Sequence, residues 1–260
     1  MMLARLRSFQ ARLLPNGILD VVRQVLLFAV AYYGYRLVRG LIDDPTGAAL
    51  AFEHGRQLIS MERSLGLFIE PGVQNWAEHV PGLTDVASWI YLNAQTSVTV
   101  GSLVYLYLFH NESFYFVRNM FMVAMGIALL GYLVYPTAPP RFFPEWGFFD
   151  SVSNFTGVHH TDRVNALFNP YAAVPSMHVC FALMIGVPIS RLARWRAARY
   201  FWAVYPLLVT FVIVSTANHF VADAFLGACV AGASAYAAAW LARARPAVWA
   251  FSSARTGVPV

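Results

Sequence analysis

The feature that most constrains this chain is a series of apolar runs long enough to cross a lipid bilayer. A membrane helix needs about 20 mostly apolar residues. Five runs reach this length, and a sixth is interrupted by Arg23 and Arg36, whose long side chains can extend to opposite membrane interfaces. The sequence therefore predicts an all-α, polytopic membrane protein, a single membrane domain over residues 1–260 with six transmembrane helices at 18–42, 84–109, 114–136, 173–190, 199–217 and 219–241.

The composition excludes several classes of protein. Hydrophobic residues make up 58% of the 260 residues and charged residues only 12%, against about 25% charged residues in a typical soluble domain. So much apolar surface is incompatible with a soluble domain, a disordered chain or a coiled coil. Both cysteines, Cys180 and Cys229, lie in apolar runs, so the sequence offers neither a disulfide framework nor a cysteine metal cluster.

The arginines indicate which way the helices face. All 18 basic residues are arginine, and the chain contains no lysine. With both termini cytoplasmic, six spans place twelve arginines on the inner side and six on the outer side, in agreement with the positive-inside rule. We therefore expect a multi-pass protein of the cytoplasmic membrane. The basic excess is interpreted as a topology signal, and no nucleic-acid partner is expected.

Two long connections fall on the predicted outer side. Residues 43–83 are expected to include an interfacial helix, because Leu58, Met61, Leu65 and Phe68 follow a helical spacing. This helix is either a belt on the bilayer surface or a lid over a substrate groove. Residues 137–172 form a second long loop, rich in proline, phenylalanine, asparagine and histidine, and loops of this length are usually functional.

Polar residues gather in three segments that the predicted topology brings to the outer face. They lie at 136–141, where the third span ends, at 169–178, where the fourth begins, and at 216–223, where the sixth begins. Polar groups at the edge of a bilayer are costly and mark functional sites. Because the three segments are level in depth, we expect them to form one site between the helices.

His219 and Asp223 stand four residues apart, so a helix would place them on one face. The carboxylate can then accept a hydrogen bond from one imidazole nitrogen and leave the other nitrogen as a lone pair, which makes the histidine a better nucleophile or base. The alternative interpretation is a polar pair that only satisfies its own hydrogen bonds at a helix end.

The other two segments supply groups suited to phosphate. Pro175 fits the first turn of a helix, which would place His178 near the helix N-terminus, where unpaired N–H groups and a partial positive charge favour an anion. Arg141 carries a permanent charge and a fork of donors that matches phosphate oxygens. The alternatives are a core histidine and an interfacial arginine anchor.

These residues resemble a known family. PSMH at 175–178, together with His219 and Asp223, looks like the signature of the type 2 phosphatidic acid phosphatase superfamily. APPR at 138–141 and NPYAAVPSMH at 169–178 are most similar to its inositol phosphotransferase branch, which includes the inositol phosphorylceramide synthases. The resemblance covers about residues 50–241.

The resemblance implies a role for each matching residue. His219 would attack phosphorus to form a phosphohistidine, Asp223 would orient it, and His178 would protonate the leaving group and then act as a base. Neither a metal nor a cofactor is implied. The phosphatase branch has an arginine where this chain has Ile213, and it has a lysine that this chain lacks, so the phosphate-binding set is predicted as Arg141, Arg163, Ser176 and Asn218.

Other interpretations of the polar residues are weaker. His159, His160 and Asp162 lack the spacing of known zinc motifs and are expected to be loop surface or lid. Ser176 lacks the turn of a serine hydrolase nucleophile and is expected to cap a helix or contact phosphate. Cys180 is assigned to packing, and so is Gly227.

The sequence thus predicts a membrane enzyme that acts on a lipid-linked phosphate through a phosphohistidine, at the outer face of the membrane. Its partners would be the lipid phosphate, membrane lipids and, in a transfer reaction, a small alcohol such as inositol or a sugar. A plain lipid phosphatase is the first alternative. A non-catalytic transporter or scaffold is the second, although a transporter would be expected to carry polar residues near the membrane midplane. The oligomeric state stays open.

Overall fold

Long apolar helices account for most of the chain. The computed structural model describes residues 14, 16–41, 45–157 and 171–249, which contain no strand beyond an isolated parallel bridge between Thr137 and Ala172. The helices are α1 Gly17–Leu41, α2 Pro45–Ser64, α3 Glu70–His79, α4 Leu83–Phe109, α5 Asn111–Val134, α6 Ser151–Thr156, α7 Met177–Leu192, α8 Arg196–Ser215, α9 Val221–Ala244 and α10 Pro246–Trp249, with 3₁₀ turns at Pro140–Phe142 and Pro144–Trp146.

Four helices of the described residues are long and apolar enough to cross a membrane. They comprise Gly17–Leu37 of α1 and the whole of α5, α8 and α9. The helical membrane protein is therefore confirmed, whereas the count of six spans stays a prediction. The helix α4 coincides with the predicted span at 84–109 to within one residue, but it is not one of the four.

The predicted span at 173–190 is placed too early in the chain. The helix α7 begins only at Met177 and contains 16 residues, fewer than a perpendicular crossing of the bilayer requires. Pro175 explains the late start, because the residue before a proline is biased away from the helical conformation. Residues 173–176 are consequently non-helical and buried, and they lead the chain into the site.

The main apolar core lies between α4, α5, α7, α8 and α9. The helices α7 and α8 approach each other closely at Gly186, where an added Cβ would lie 2.8 Å from the carbonyl oxygen of Trp202. The helix α1 packs against α5 and leaves residues such as Leu19 and Val30 more than two thirds exposed, as expected of a helix that faces lipid. Five helices therefore form the bundle that supports the site.

A second apolar cluster covers one end of this bundle. It joins α2, through Ala51, Leu58 and Ile59, to the segment after α5 and to the start of α9, and its other members are Ala138, Phe143, Phe148, Val174, Ala217 and Phe220. The described part of the predicted loop at 137–172 is thus folded. It contains the two 3₁₀ turns and α6, and Phe143 is completely buried within it.

Residues 45–79 form two helices, α2 and α3. Of the residues at the predicted helical spacing, Leu58 is buried within the protein, whereas Met61 and Leu65 are 43% and 62% exposed, and α2 ends at Ser64. The buried face of α2 carries Ala51, Ile59 and Glu62 alongside Leu58. The position of this helix at a membrane surface stays a prediction.

Candidate active site

The turn between α8 and α9 places His219 at the covered end of the bundle. The backbone N–H groups of Asn218 and His219 both donate to the carbonyl oxygen of Ile213, at 3.0 and 3.2 Å, which closes the end of α8. Ala217 adopts a left-handed conformation with φ of 53°, a conformation typical of residues that end a helix. As predicted, the two helices are separated only by a tight turn at Asn218, and His219 is 5% exposed.

Asp223 binds His219, although the two residues do not share a continuous helix. The helix α9 begins at Val221, so His219 precedes it, and the expectation of one helical face is wrong in that respect. Asp223 reaches back over the first turn, where its Oδ2 accepts from the backbone N–H of Phe220 at 3.0 Å and lies 3.2 Å from His219 Nδ1. An ionised carboxylate only accepts hydrogen bonds, so in the state with Asp223 ionised this contact places the proton on Nδ1 and leaves a lone pair on Nε2.

His178 completes a pair of histidines. It is the second residue of α7, and its Nδ1 lies 3.3 Å from His219 Nε2. Tyr91 of α4 stacks on the His178 ring with 4.7 Å between ring centroids and an angle of 23° between the planes. Tyr91 was not predicted as part of the site, because a tyrosine in an apolar span is typical of lipid-facing positions. The three predicted catalytic residues are thus in contact, in the order Asp223, His219, His178.

Two glycines allow the segment before α7 to enter the bundle. An added Cβ on Gly131 of α5 would lie 2.8 Å from Pro175 Cδ, and one on Gly227 of α9 would overlap the carbonyl oxygen of Ser176. The backbone N–H of Ser176 donates to the carbonyl oxygen of Asp223 at 3.1 Å. Close packing at Gly227 is therefore confirmed, and it joins the segment that carries His178 to the helix that carries Asp223.

Pro175 and Ser176 do not have the positions and contacts at the start of α7 that were expected from the sequence. Pro175 lies two residues before α7 instead of within its first turn. Ser176 occupies the N-cap position, but its side chain makes no capping hydrogen bond, and its Oγ is buried with no hydrogen-bond partner among the described residues. The capping interpretation is wrong for this residue, and contact with phosphate stays a prediction.

Arg141 lies against the same turn as His219. Its backbone N–H donates to the carbonyl oxygen of Ala217 at 2.9 Å, and its Nη1 donates to Asn218 Oδ1 at 2.5 Å. Its Nε is 3.8 Å from Asp150 Oδ2, and its side chain is 4% exposed. The amide nitrogen of Asn218 donates to Thr216, so Asn218 links the turn to the arginine. Asp150 was not predicted, because it lies in a loop with no motif.

Two predicted features lie outside the described residues. These are Arg163, the second predicted phosphate ligand, and the segment with His159, His160 and Asp162. Among the residues that the structure describes, no group of three or more histidine, cysteine or acidic side chains is arranged to hold a metal ion.

The comparison with known families agrees with this arrangement. The sequence profile of the PAP2 superfamily matches residues 56–237, which include His178, His219, Asp223 and Arg141. The chain belongs to the PAP2 superfamily. No curated protein and no solved structure matches the chain. Members of the PAP2 superfamily are phosphatases with a histidine-based mechanism, so the superfamily level of the resemblance is confirmed.

A narrow cleft adjoins His178 of this PAP2 protein. It has a cavity volume of about 20 Å³, lies between α4, α7 and α8, and is lined mainly by apolar side chains together with Tyr91, Gln95, Thr99 and His178. Cys180 is fully buried on α7, which is consistent with its assignment to packing. The surroundings of His178 on this side are therefore mainly apolar.

Sequence reasoning missed two acidic residues of the PAP2 site. Glu62 of α2 and Glu70, the first residue of α3, are 1% and 0% exposed, and both accept hydrogen bonds from the start of α9. Glu62 lies within the amphipathic pattern of residues 58–68, where an acidic residue is ordinary. The only signal was its position four residues after Leu58, which places it on the same helical face as that apolar residue.

Proposed function

We propose that the protein is a lipid phosphotransferase or phosphatase that forms a phosphohistidine on His219. The observation that carries this proposal is the chain of contacts from Asp223 through His219 to His178. It supplies an oriented nucleophile and a proton donor within 3.3 Å of each other. Superfamily membership supports a phosphatase or phosphotransferase with a lipid-type substrate.

In the first step, His219 Nε2 attacks the phosphorus atom of the lipid phosphate. A P–N bond forms while the P–O bond to the leaving group breaks, and His178 gives a proton to the departing oxygen. Asp223 stabilises the positive charge that develops on His219, because its Oδ2 accepts from Nδ1. The incoming phosphate displaces the direct contact between the two histidines and takes its place between them.

In the second step, an acceptor oxygen attacks the phosphohistidine. His178, now neutral, removes the proton from the acceptor, a new P–O bond forms and the P–N bond breaks. Water as the acceptor gives hydrolysis, and a small alcohol such as inositol or a sugar gives transfer. The similarity of residues 138–141 and 169–178 to the inositol phosphotransferase branch favours transfer, with plain hydrolysis as the alternative.

The phosphate charge would be held by Arg141 and by the N-terminal turn of α7. Arg141 replaces the lysine and arginine of the phosphatase branch, and its contacts with Asn218 keep the guanidinium beside the turn that carries His219. The buried Oγ of Ser176, which has no hydrogen-bond partner among the described residues, and the side chain of Asn218 are proposed to add to this binding, and Arg163 is proposed as a second cation. Such preorganised donors stabilise the charge of the transition state.

The reaction is proposed to take place at the outer face of the cytoplasmic membrane, with both termini inside. The distribution of arginines supports this orientation. The apolar side chains that surround His178 between α4, α7 and α8 support the approach of a lipid substrate from this side.

The test is incubation of the purified protein with radiolabelled lipid phosphates, with and without inositol. We expect either release of inorganic phosphate or, with inositol, a new labelled lipid. His219→Ala in the same preparation should give neither product. Absence of both products from the wild-type protein across lipid monophosphates, lipid diphosphates and phosphatidylinositol would contradict the proposal and favour a non-catalytic role.

A further inference from the structure

Two buried glutamates bind the first backbone N–H groups of α9. Glu70 Oε1 accepts from Val221 N–H at 2.8 Å, and Glu62 Oε1 accepts from Ala222 N–H at 2.7 Å. The first N–H groups of a helix have no partner within the helix, and here two separate elements supply the partners. The contacts join residues 151 and 160 positions apart in the sequence, so they are tertiary contacts and not local caps.

The two glutamates lie side by side at the start of α9. Their Oε1 atoms accept from consecutive backbone N–H groups, which brings the two carboxyl groups close together. The second oxygen of each, Oε2, is buried and has no hydrogen-bond partner among the described residues. Two ionised carboxylates have acceptors only and repel each other, so this arrangement favours one proton held between the two groups.

The surroundings favour the protonated form of the pair. Among the described residues, no basic side chain forms an ion pair with Glu62 or Glu70. Burial, together with the neighbouring carboxyl groups of Glu70 and Asp223, raises the pKa of Glu62 to about 9. The elements packed around the pair also carry other titratable and charged groups. These are Glu53, His54, Arg56 and Arg63 on α2, Glu78 and His79 on α3, His219 beside α9, and Arg141 and Asp150 in the connecting segment.

We propose that Glu62 and Glu70 are positioning residues of the reaction, which act as a carboxyl pair with one shared proton to hold the start of α9 and thereby His219 and Asp223. This inference rests on the proposed function. The pair binds the chain two and three residues after His219, between the nucleophile and the residue that orients it. A shift of about 1 Å in such a group can reduce a rate about 10²-fold.

The shared proton also limits the negative charge beside the phosphate site. With one proton the pair carries a single negative charge, which the N-terminal end of α9 stabilises. A doubly ionised pair would repel Asp223 and an anionic substrate, and its two carboxylates would separate. The N–H groups of α9 are already occupied by protein carboxyls, which leaves the start of α7 as the helix end available to phosphate.

The experiment compares glutamine and alanine variants. Glu62→Gln and Glu70→Gln each replace one carboxyl by an amide that keeps the accepting oxygen and supplies a permanent N–H donor to the partner. Glu62→Ala and Glu70→Ala remove both groups. Glu53→Gln is the matched control, because Glu53 is an exposed acid on the same helix α2. We would measure kcat and KM from pH 5 to 10 on a lipid phosphate that the wild-type protein turns over.

We expect each glutamine variant to keep kcat at pH 7 within about twofold of wild type, and each alanine variant to lose about 10²-fold in kcat with little change in KM. Wild type and Glu53→Gln should lose activity above about pH 9, where the shared proton leaves, whereas Glu62→Gln and Glu70→Gln should remain active there. Glutamine variants as impaired as the alanine variants, or alanine variants with wild-type kcat, would overturn the proposal.

Thermal unfolding without substrate separates this inference from the proposed function. The pKa of Glu62 is raised from 4.5 to about 9 in the folded protein. Between pH 4.5 and pH 9 the native state therefore binds one more proton than the unfolded state. Because of this extra proton, the free energy of unfolding decreases as the pH rises from 4.5 to 9. Both glutamine variants should lack this part of the slope. If the stability of the wild-type protein has this pH dependence but the protein turns over no substrate, the proposed function is contradicted. If the glutamine variants have the same pH dependence of stability as the wild type, the shared proton is contradicted.

Discussion

Gly227 on α9 lies directly against the carbonyl group of Ser176, with no space for a side chain between them. The contact joins the segment that carries His178 to the helix that carries Asp223. It thereby sets the distance between His178 and His219. The reaction proposed for this site depends on that distance, because a proton donor acts only within hydrogen-bond reach of the reacting group.

Gly227→Ala should therefore reduce both stability and activity. The new methyl group must push the Ser176 backbone away, and overpacking of this kind costs about 1–3 kcal/mol. Gly232→Ala is the control, because Gly232 lies on the same helix with no atom near its Cβ position, where alanine is neutral or stabilises by up to about 1 kcal/mol. Thermal unfolding and turnover of both variants test this, and wild-type values for Gly227→Ala would contradict the observed contact.

Substrates with different leaving groups should distinguish the roles of His219 and His178. His219→Ala should abolish turnover and phosphoenzyme formation with every substrate. His178→Ala should reduce turnover of a lipid phosphate by about 10²–10⁴-fold but still form phosphoenzyme from p-nitrophenyl phosphate, whose leaving group needs no proton. His79→Ala, at an exposed position, is the control. Full activity in either active-site variant would refute the mechanism.

Arg141 should not be replaceable by lysine. Its guanidinium contacts Asn218 through Nη1 and faces Asp150 through Nε, and lysine has no planar fork with which to do both. We expect Arg141→Lys to lose about 10- to 100-fold in kcat/KM, the range of a lost charged hydrogen bond, and Arg141→Ala to lose more. Arg243→Ala, an exposed arginine at the far end of α9, should be unaffected. If Arg141→Lys were as active as the wild type, the proposed role of Arg141 in phosphate binding would be contradicted.

Chelators should leave turnover unchanged. The proposed steps use two histidines and an arginine, and the phosphate charge is held by Arg141 and helix N–H groups. The measurement is the initial rate in EDTA over a range of concentrations, with a known metal-dependent phosphatase as a positive control for chelation. Loss of activity that a divalent cation restores would contradict the proposed chemistry.

Cysteine labelling tests the proposed orientation. In a background with Cys180 and Cys229 replaced by alanine, Phe155→Cys should react with a membrane-impermeant maleimide on intact cells, because Phe155 is 40% exposed on the proposed outer side. Trp195→Cys, 79% exposed in the arginine-rich loop, should react only after the cells are permeabilised. The reverse pattern would invert the topology.

The residues of the proposed catalytic core could be identified from the sequence because each lies in a short polar segment. His219 and Asp223 are four residues apart, and their hydrogen bond forms even though α9 begins after His219. Arg141 and His178 were found for a similar reason, since both lie in short polar segments at the ends of apolar runs. Short motifs of this kind identify the side chains, whereas the contact between His178 and His219 depends on the packing of separate helices.

The supporting residues were not predictable from sequence. Glu62 and Glu70 meet α9 only through contacts across more than 150 positions, and an acid on an amphipathic helix is ordinarily at the surface. Tyr91 lies in an apolar run, where nothing distinguishes a tyrosine that stacks on His178 from one that faces lipid. The late start of α7 also changed the length of a predicted span, although Pro175 was a visible signal for it.

The carboxyl pair at the start of α9 has a consequence for the order in which the protein matures. Glu62 and Glu70 are synthesised long before His219, and their contacts with Val221 and Ala222 form only after the last apolar helix has joined the bundle. A chain in which α9 has not yet joined the bundle therefore has neither the proposed nucleophile in place nor the completed support for it. The proposed reaction would begin only once α9 has assembled with the rest of the bundle, so an unfinished chain would not act on the lipids around it.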